Sequence, residues 1–472
     1  SPVDMARKAG ELAIKRWIGT KRPRSIQYRQ IIGLILIAVL VFGASTQFIG
    51  FFFLPPQVKV SVGEPLQIPL ALPQVLTDFF SLKIKSVEGT KGVLTLEGNE
   101  VKQGFDLKGL PVAECPGTVD LELRLFGFIP LKKMVVTVAS PVKVVPGGHS
   151  IGVFLRQGVQ VIDLAPIRDE TGQEHCPGKN AGLQTGDVLL SVNDVAIMDE
   201  LDLARAVNQA GQDGKAVKLL IEREGEQAEL TIEPIFCLDT KRYRIGLLVK
   251  DGSAGVGTLT FYNPESRVYG ALGHVIVDVR SNQEIKIKNG RVVSASVQGI
   301  QPGRKGQPGE KIGVIESESL YGSIDKNCKF GIFGILSKEI PNSLYPEPIP
   351  VAWQNQVHKG QAEMLTVING KEIESFTVEV EKIMTNQSDG KGMVIRVVDP
   401  RLLELTGGII QGMSGSPLIQ DGRLIGAVTH VFVNDPARGY AILAEYMLTE
   451  TLQIPQQISS VRNFSLTDFF VI

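Results

Sequence analysis

A serine between glycines is the strongest chemical signal in this sequence. The segment reads Gly412-Met413-Ser414-Gly415-Ser416-Pro417, and a strand pattern, a glycine turn and the string GAVTHV follow it. A serine nucleophile has to project from a tight turn, and glycines beside it permit that backbone and leave room for a substrate carbonyl. We therefore predict that Ser414 is a nucleophile. The alternative is a plain hairpin turn.

A serine hydroxyl needs a general base, and one histidine is well placed for that role. His274 ends the small-residue string GALGH and precedes a short apolar run. We predict that it takes the proton of Ser414. His430 is a poorer candidate because it follows the nucleophile. The other histidines lie in unmarked surroundings: His149, His175 and His358.

An acidic residue that orients the imidazole would complete a triad. Asp399 is the best placed, because it ends the strand pattern GMVIRVVD, although it lies only 15 residues before Ser414. Asp278 shares a strand with His274, but four residues of strand separate their side chains by about 13 Å. Asp325 is a third option. We predict Asp399 as the orienting acid, and a Ser–His dyad remains open.

The string G-x-S-G-x-P, with its following strand, turn and strand, resembles the active-site loop of chymotrypsin-fold serine proteases. The resemblance implies that Ser414 is the nucleophile and that the N–H groups of Gly412 and Ser414 form the oxyanion hole. It also implies a substrate cleft lined by Thr429, His430 and Val431. This interpretation predicts a serine endopeptidase that forms an acyl-enzyme.

A second resemblance covers about 85 residues. The string KNAGLQTGDVLLSVNDVAI, a helix pattern ending near Gly211 and two strand patterns follow one another as in a PDZ domain. The resemblance implies peptide binding by strand addition beside residues 154–156, with the backbone N–H groups of Ile151, Gly152 and Val153 facing the terminal carboxylate of the ligand. In the alternative, Gly152 only makes a turn.

Short alternating apolar runs predict a mainly β protein. We expect a small β domain at 57–147 without a chemical site, a PDZ domain at 148–237, and a chymotrypsin-like β-barrel protease domain at 244–452. A helix is expected only near 444–448 within the protease domain, and residues 453–472 are expected to form a tail.

The N-terminal region predicts a membrane anchor. Residues 31–53 carry no charge over 23 positions, which is long enough to span a bilayer as a helix. Residues 1–30 hold eight basic and two acidic residues, so this segment should stay cytoplasmic and the rest should be exported. The alternative is a cleaved signal peptide with a poor cleavage site at Ala44-Ser45-Thr46.

The composition and the spacing of the cysteines and histidines exclude several classes of protein. With 43% hydrophobic and 21% charged residues, the chain is neither collagen, coiled coil nor wholly disordered. The net acidic remainder after residue 30 gives no support for nucleic-acid binding. The 4 cysteines are widely spaced without C-x-x-C, and the 5 histidines are scattered. We therefore expect no metal and no cofactor.

The combined order of segments is similar to that of the SpoIVB peptidases of endospore-forming bacteria, in the strings VGTLTFY…YGALGH and IIQGMSGSP above all. The resemblance implies a peptidase exported into the space between the two forespore membranes. It also implies self-cleavage in trans and cleavage of the ectodomain of a membrane protein, which leads to sigma-factor processing during sporulation. The competing hypothesis is a PDZ scaffold that binds peptides and carries a degenerate protease domain.

Overall fold

The computed structural model describes residues 55–454 apart from 69–77, 90–91, 156–157, 198, 252–253, 278–283, 286, 288–289 and 385–389, and before residue 55 only Gly33 and Ile37. The predicted cytoplasmic segment, the predicted membrane-spanning segment, Asp278 and nearly all of the predicted tail therefore lie outside the described residues. Within the part that is described, no helix is long and apolar enough to cross a membrane. The chain divides into two compact units, Ser1–Ser140 and Pro141–Ile472.

The first unit contains a five-stranded sheet, in the order β1-β8-β7-β2-β5, and a three-stranded sheet, in the order β4-β3-β6. Alternating Val and Leu side chains place one face of each long strand in the core, as the period-two pattern predicts. The strands are β1 (Gln57–Ser61), β2 (Phe80–Gly89), β3 (Leu94–Leu96), β4 (Asn99–Glu100), β5 (Gly104–Asp106), β6 (Val112–Ala113), β7 (Gly117–Leu125) and β8 (Ile129–Ala139).

The PDZ domain lies in the second unit. Its main sheet has the path β17-β16-β14-β11-β20, with β15 paired to β14. The elements are β11 (Val159–Asp163), β12 (Ile167–Arg168), β13 (Glu174–His175), α1 (Pro177–Asn180), β14 (Val188–Val192), β15 (Val195–Ala196), α2 (Glu200–Gln212), β16 (Val217–Arg223), β17 (Glu226–Ile232), β18 (Ile235–Cys237), β19 (Arg242–Arg244) and β20 (Leu248–Asp251).

The protease domain has two parts. The first is a nine-stranded sheet with the path β24-β23-β10-β21-β22-β26-β25, to which β9 and β27 attach. Its strands are β9 (Lys143–Pro146), β10 (Ser150–Phe154), β21 (Ala254–Tyr262), β22 (Val268–Ala271), β23 (Gly290–Gln301), β24 (Glu310–Ile324), β25 (Lys326–Cys328), β26 (Gly331–Ile335) and β27 (Ile349–Pro350).

The second part is a closed six-stranded barrel, in the order β28-β29-β30-β33-β32-β31. An apolar core that includes Met364, Phe376 and Met413 fills it. Its elements are β28 (Gly360–Val367), β29 (Ile373–Ile383), β30 (Met393–Val397), α3 (Pro400–Thr406), β31 (Pro417–Gln420), β32 (Arg423–Phe432), β33 (Asp435–Leu443) and α4 (Ala444–Thr451). The mainly β fold and the helix near 444–448 are thus confirmed, but the expectation of no other helix in this domain is wrong, because Asp399 caps the additional helix α3.

The predicted domain boundaries need correction at β9 and β10. Both strands belong to the protease sheet, because β9 pairs with β21 and β10 lies between β21 and β23. Phe154 is opposite Ala254 in the antiparallel pair of β10 and β21. The PDZ domain is therefore an insertion between two neighbouring strands of the protease domain, and it does not precede that domain as a separate module.

Candidate active site

The nucleophile loop, residues 410–416, lies in the connection between α3 and β31 and is held by β21. The backbone N–H of Thr258 donates to the carbonyl of Ser414 at 2.9 Å, and the Thr258 hydroxyl donates to the carbonyl of Gly412 at 2.8 Å. The hydroxyl of Thr260 donates to the carbonyl of Gly415 at 2.8 Å. Both threonines are fully buried. Three carbonyls around the serine are therefore fixed by one strand.

The two glycines of the loop are required by the backbone. Gly412 has φ +91° and Gly415 has φ +93°, a region that side-chain-bearing residues rarely adopt. A Cβ on Gly415 would lie 2.1 Å from the carbonyl oxygen of Thr258. Between them Ser414 stays partly exposed, whereas Ser416 is completely buried. These environments favour Ser414 over Ser416 as the nucleophile.

Ser414 and the neighbour of His274 both contact Thr429, and no hydrogen bond joins Ser414 to His274 among the described residues. The Ser414 hydroxyl donates to the carbonyl of Thr429 at 2.9 Å, and a Cβ on Gly273, the neighbour of His274, would lie 2.9 Å from the Thr429 methyl group. The rings of His274 and His430 lie side by side, with centroids 5.0 Å apart. The structure thus gathers the predicted nucleophile, the predicted base and the predicted cleft residues in one place.

The imidazole of His274 is oriented by the main chain. Its Nδ1 lies 2.9 Å from the carbonyl oxygen of Val275, a partner that can only accept, so Nδ1 carries the proton and Nε2 is left as the base. Burial lowers the pKa of His274 below its ordinary 6.5, and the bond to Val275 opposes that shift. The ring is therefore neutral at pH 7. Asn327 fixes the same segment, because its side chain bonds both the N–H and the carbonyl of Ile276.

Two backbone N–H groups of the loop are available to a ligand. Within the described residues, neither the N–H of Gly412 nor that of Ser414 donates a hydrogen bond, while the N–H of Gly415 is used by the carbonyl of Val428 at 2.7 Å. The free pair is the one that the sequence resemblance implies for an oxyanion hole. Such preorganised donors stabilise the charge that develops on a carbonyl oxygen during attack.

Asp399 is engaged elsewhere. Its carboxylate caps α3, accepts hydrogen bonds from Arg401 at 3.0 Å and from the N–H of Thr377 at 3.2 Å, and does not contact His274. The Arg401 guanidinium lowers the pKa of Asp399. The carboxylate of Asp325, the third option, accepts a hydrogen bond from the Ser323 hydroxyl. In this arrangement the Val275 carbonyl, and not Asp399, orients the imidazole, which corresponds to the dyad that the sequence left open.

The predicted cleft lies where β32 extends beyond its partner β31. Thr429, His430 and Val431 belong to β32, which pairs with β33 on one side. On the other side β31 pairs with β32 only as far as Ala427, and no described strand continues past that point. A peptide strand that continues the sheet beyond the end of β31 would lie next to Ser414, where main-chain hydrogen bonds would hold it.

The predicted PDZ carboxylate loop is wrong. Ile151, Gly152 and Val153 lie in β10, which is hydrogen-bonded on both edges and buried on both faces, so no peptide strand can be added there. A Cβ on Gly152 would lie 2.5 Å from Ile315 and 2.9 Å from Val293. A bulky residue at this position would disrupt the protease sheet and would not produce a selective PDZ defect.

Lys311 is a further residue of the site that the sequence does not indicate. It is only 5% exposed, its Nζ donates to the hydroxyl of Thr366 at 2.8 Å, and its aliphatic stem packs against Gly412. Burial alone lowers its pKa to about 7, and no charged group of the described elements shifts it. The aliphatic stem of this lysine thus packs against Gly412, which carries one of the two free N–H groups.

The fold and the site together define a serine peptidase with a neutral histidine base and a preformed oxyanion hole. Comparison with known proteins agrees with this class. Residues 241–448 match the family model for SpoIVB peptidase S55, and residues 168–223 match the model for a PDZ domain. These matches confirm the resemblance to the SpoIVB peptidases and support a serine endopeptidase.

More distant similarities add little. No curated protein matches the chain significantly. A crystal structure of the Rv3671c protease in its inactive form is 13% identical, covering 42% of this chain and 84% of that chain, with a TM-score of 0.25. The active form from M. tuberculosis is 15% identical over 44% of this chain and 78% of that chain, also with a TM-score of 0.25. Scores this low do not show a shared fold.

Lys311→Met should stabilise the protein at neutral pH and flatten its pH dependence. The folded pKa of about 7 lies below the ordinary value of 10.5, so the unfolded chain keeps a proton that the folded chain releases. The cost of burying the charge is therefore full below pH 7 and decreases as the pH rises toward 10, with a total on the order of a few kcal/mol. Denaturant unfolding at pH 6.5 and pH 9 measures the free energy of unfolding of both proteins and so tests this expectation.

The exposed Lys133 provides the control. Lys133→Met should leave both the stability and its pH dependence close to those of the wild type. If Lys311→Met shows the same gain in stability between pH 6.5 and pH 9 as the wild type, Lys311 does not titrate in this range and the account of its burial fails.

Proposed function

We propose that this chain is a membrane-anchored, exported regulatory serine endopeptidase of sporulation, which cleaves itself in trans and cleaves the ectodomain of a membrane protein to trigger sigma-factor processing. The observation that carries the catalytic part is the nucleophile loop, where Ser414 lies beside two free N–H groups and bonds Thr429, the residue next to His430, whose ring lies against that of His274. The sporulation role, the substrates and the location between the two forespore membranes are expectations from the family resemblance.

The chemistry follows from the positions of these groups. The hydroxyl of Ser414 leaves the Thr429 carbonyl and attacks the scissile carbonyl carbon while Nε2 of His274 accepts its proton. The N–H groups of Gly412 and Ser414 stabilise the oxyanion. His274 then gives the proton to the leaving amine as the C–N bond breaks, and a water molecule hydrolyses the acyl-enzyme by the same steps in reverse.

Anchoring is supported by the sequence. The uncharged residues 31–53 follow a basic segment, and the first strand of the folded part begins shortly after them, at Gln57. Cleavage between residue 53 and the protease domain would release the enzyme from the membrane. The scaffold hypothesis is less favoured, because a degenerate protease domain has no need of both Ser414 and a correctly oriented His274.

We also propose a peptide-binding site on the PDZ domain that differs from the one expected from the sequence. β20 is the edge strand of the PDZ sheet and pairs with β11 on one side only. The segment before it, Ile245-Gly246-Leu247, carries three consecutive N–H groups that bond no acceptor among the described residues. Leu247 and Val249 pack against the same core as the buried face of α2.

These features match the requirements of a terminal carboxylate. Gly246 has φ +77°, and a Cβ there would lie 2.9 Å from the carbonyl of Ala165, so the loop needs glycine. The carbonyls of Ile245 and Gly246 already accept hydrogen bonds from the N–H groups of Gly178 and Ala165, whereas the three N–H groups remain available as donors. A peptide can add to β20 as a strand and place its carboxylate at these N–H groups.

Trans-cleavage tests the catalytic proposal. Wild-type enzyme should release an inactive, full-length Ser414→Ala copy from vesicles, while Ser414→Ala and His274→Ala enzymes should not. Losing either residue should lower turnover by about 10⁶, and the double variant should be little worse, because the two act as a unit. The rate should also fall as the pH drops below 6.5, as His274 gains a proton.

Labelling with a fluorophosphonate separates the parts of this claim. The wild type and Ser416→Ala should be labelled, and Ser414→Ala should not. Loss of labelling in Ser416→Ala alone would move the nucleophile to that residue. Labelling without release of the anchored copy would leave the peptidase intact and overturn self-cleavage.

Hydrogen exchange tests the peptide site. In full-length Ser414→Ala protein, a short peptide ending in a free valine carboxylate should protect the amides of residues 245–251, because strand addition occupies that edge. The same peptide with an amidated end should protect them much less. Protection of residues 150–154, or of neither segment, would contradict the proposed site.

A further inference from the structure

Three phenylalanines form an exposed cluster at one end of the first unit. Phe79, Phe126 and Phe128 are 45%, 57% and 68% exposed. The ring of Phe126 lies 5.5 Å from that of Phe79 and 6.4 Å from that of Phe128. We call these residues the aromatic tip. Ile129 and Leu131 extend it along β8 and are also exposed. Aromatic side chains in contact with one another and with water mark an interaction surface.

The backbone conformation of the aromatic tip is unfavourable for a phenylalanine. Phe126 has φ +55° in the connection between β7 and β8, a conformation in which a bulky residue is an outlier. Its N–H donates to the carbonyl of Phe79, which ties the two parts of the cluster together. Reversal of the chain alone would be served better by Asn or Gly. The fold itself therefore gives no reason for a phenylalanine here.

Strand register fixes the direction in which the tip points. β1 runs parallel to β8, and Gln57, the first residue of β1, is opposite Val135. β8 begins at Ile129, six residues earlier, so the tip projects about 20 Å beyond the start of β1. This is the end of the sheet at which the chain enters from residues 31–53.

The connection to the apolar segment is shorter than that projection. Phe53 ends the uncharged segment and β1 begins at Gln57, so four residue steps of at most about 14 Å separate them. When the β domain stands on its anchor, the aromatic tip reaches the bilayer surface before β1 does. Lys133, exposed on β8 just beyond the apolar residues, suits the anionic lipid headgroups at such a surface.

We propose that the aromatic tip inserts into the headgroup region of the bilayer and holds the β domain against the membrane beside its anchor. This inference rests on the proposed anchoring by residues 31–53. It gives the first unit a role: the tip and the anchor form two membrane contacts, which fix the orientation of the domain. A single flexible tether would not do so.

Tryptophan placed in the tip reports its surroundings. Full-length Ser414→Ala protein carrying Phe128→Trp is reconstituted in vesicles of phosphatidylethanolamine and phosphatidylglycerol, with or without bromine on the acyl chains. The control is Val87→Trp, an exposed position toward the opposite end of β2. Spectra of the parent protein are subtracted to remove the emission of Trp17 and Trp353. Flotation of the vesicles tests the anchor separately.

In protein that floats with the vesicles, the indole emission of Phe128→Trp should be blue-shifted and should lose most of its intensity to brominated lipid, since interfacial side chains lie about 5–10 Å into the headgroup boundary. Val87→Trp should show the emission of water-exposed indole and no quenching. Water-like emission from Phe128→Trp would overturn the proposal. A blue shift without bromine quenching would also overturn it, in favour of a protein partner. Failure to float would refute the anchor instead.

Discussion

Hydrogen bonds from one buried strand hold the nucleophile loop in its reactive shape. Thr258 and Thr260 of β21 donate hydrogen bonds to the carbonyls of Gly412, Ser414 and Gly415 and so fix the orientation of these three peptide groups. The N–H groups of Gly412 and Ser414 remain free as a result. Without these hydrogen bonds, the glycines at positive φ would let the loop adopt other conformations, and the oxyanion hole would be lost.

The same strand connects the site to the inserted PDZ domain. β20, the proposed peptide-binding edge, is separated from β21 by residues 252–253 alone. β21 in turn pairs with β10, which leads into the insertion from its other side. A peptide presented at β20 is therefore bound by the strand next in sequence to the one that fixes the nucleophile. The insertion has its two ends in the sheet that holds the catalytic loop.

Part of the fold and part of the active site could be predicted from the sequence. The glycine-flanked serine, His274 and the mainly β fold have local signatures, whereas Thr258, Thr260, Asn327 and Lys311 act through contacts across long stretches of chain. The string at 150–153 has the pattern of a carboxylate loop because it precedes a strand, but Arg244-Ile245-Gly246-Leu247 has the same pattern. Only the pairing of β10 with two protease strands shows that residues 150–153 are not the carboxylate loop.

The role of these hydrogen bonds from β21 can be tested by removing the hydroxyl of Thr258. Thr258→Val keeps the shape of the side chain and the backbone bond to Ser414 but leaves the Gly412 carbonyl without its donor. Because one such bond is worth about 1 kcal/mol and an unpaired buried carbonyl costs up to about 3 kcal/mol, kcat for a peptide substrate should fall by roughly 10- to 100-fold at an unchanged KM. An unchanged kcat, or a change confined to KM, would contradict the account.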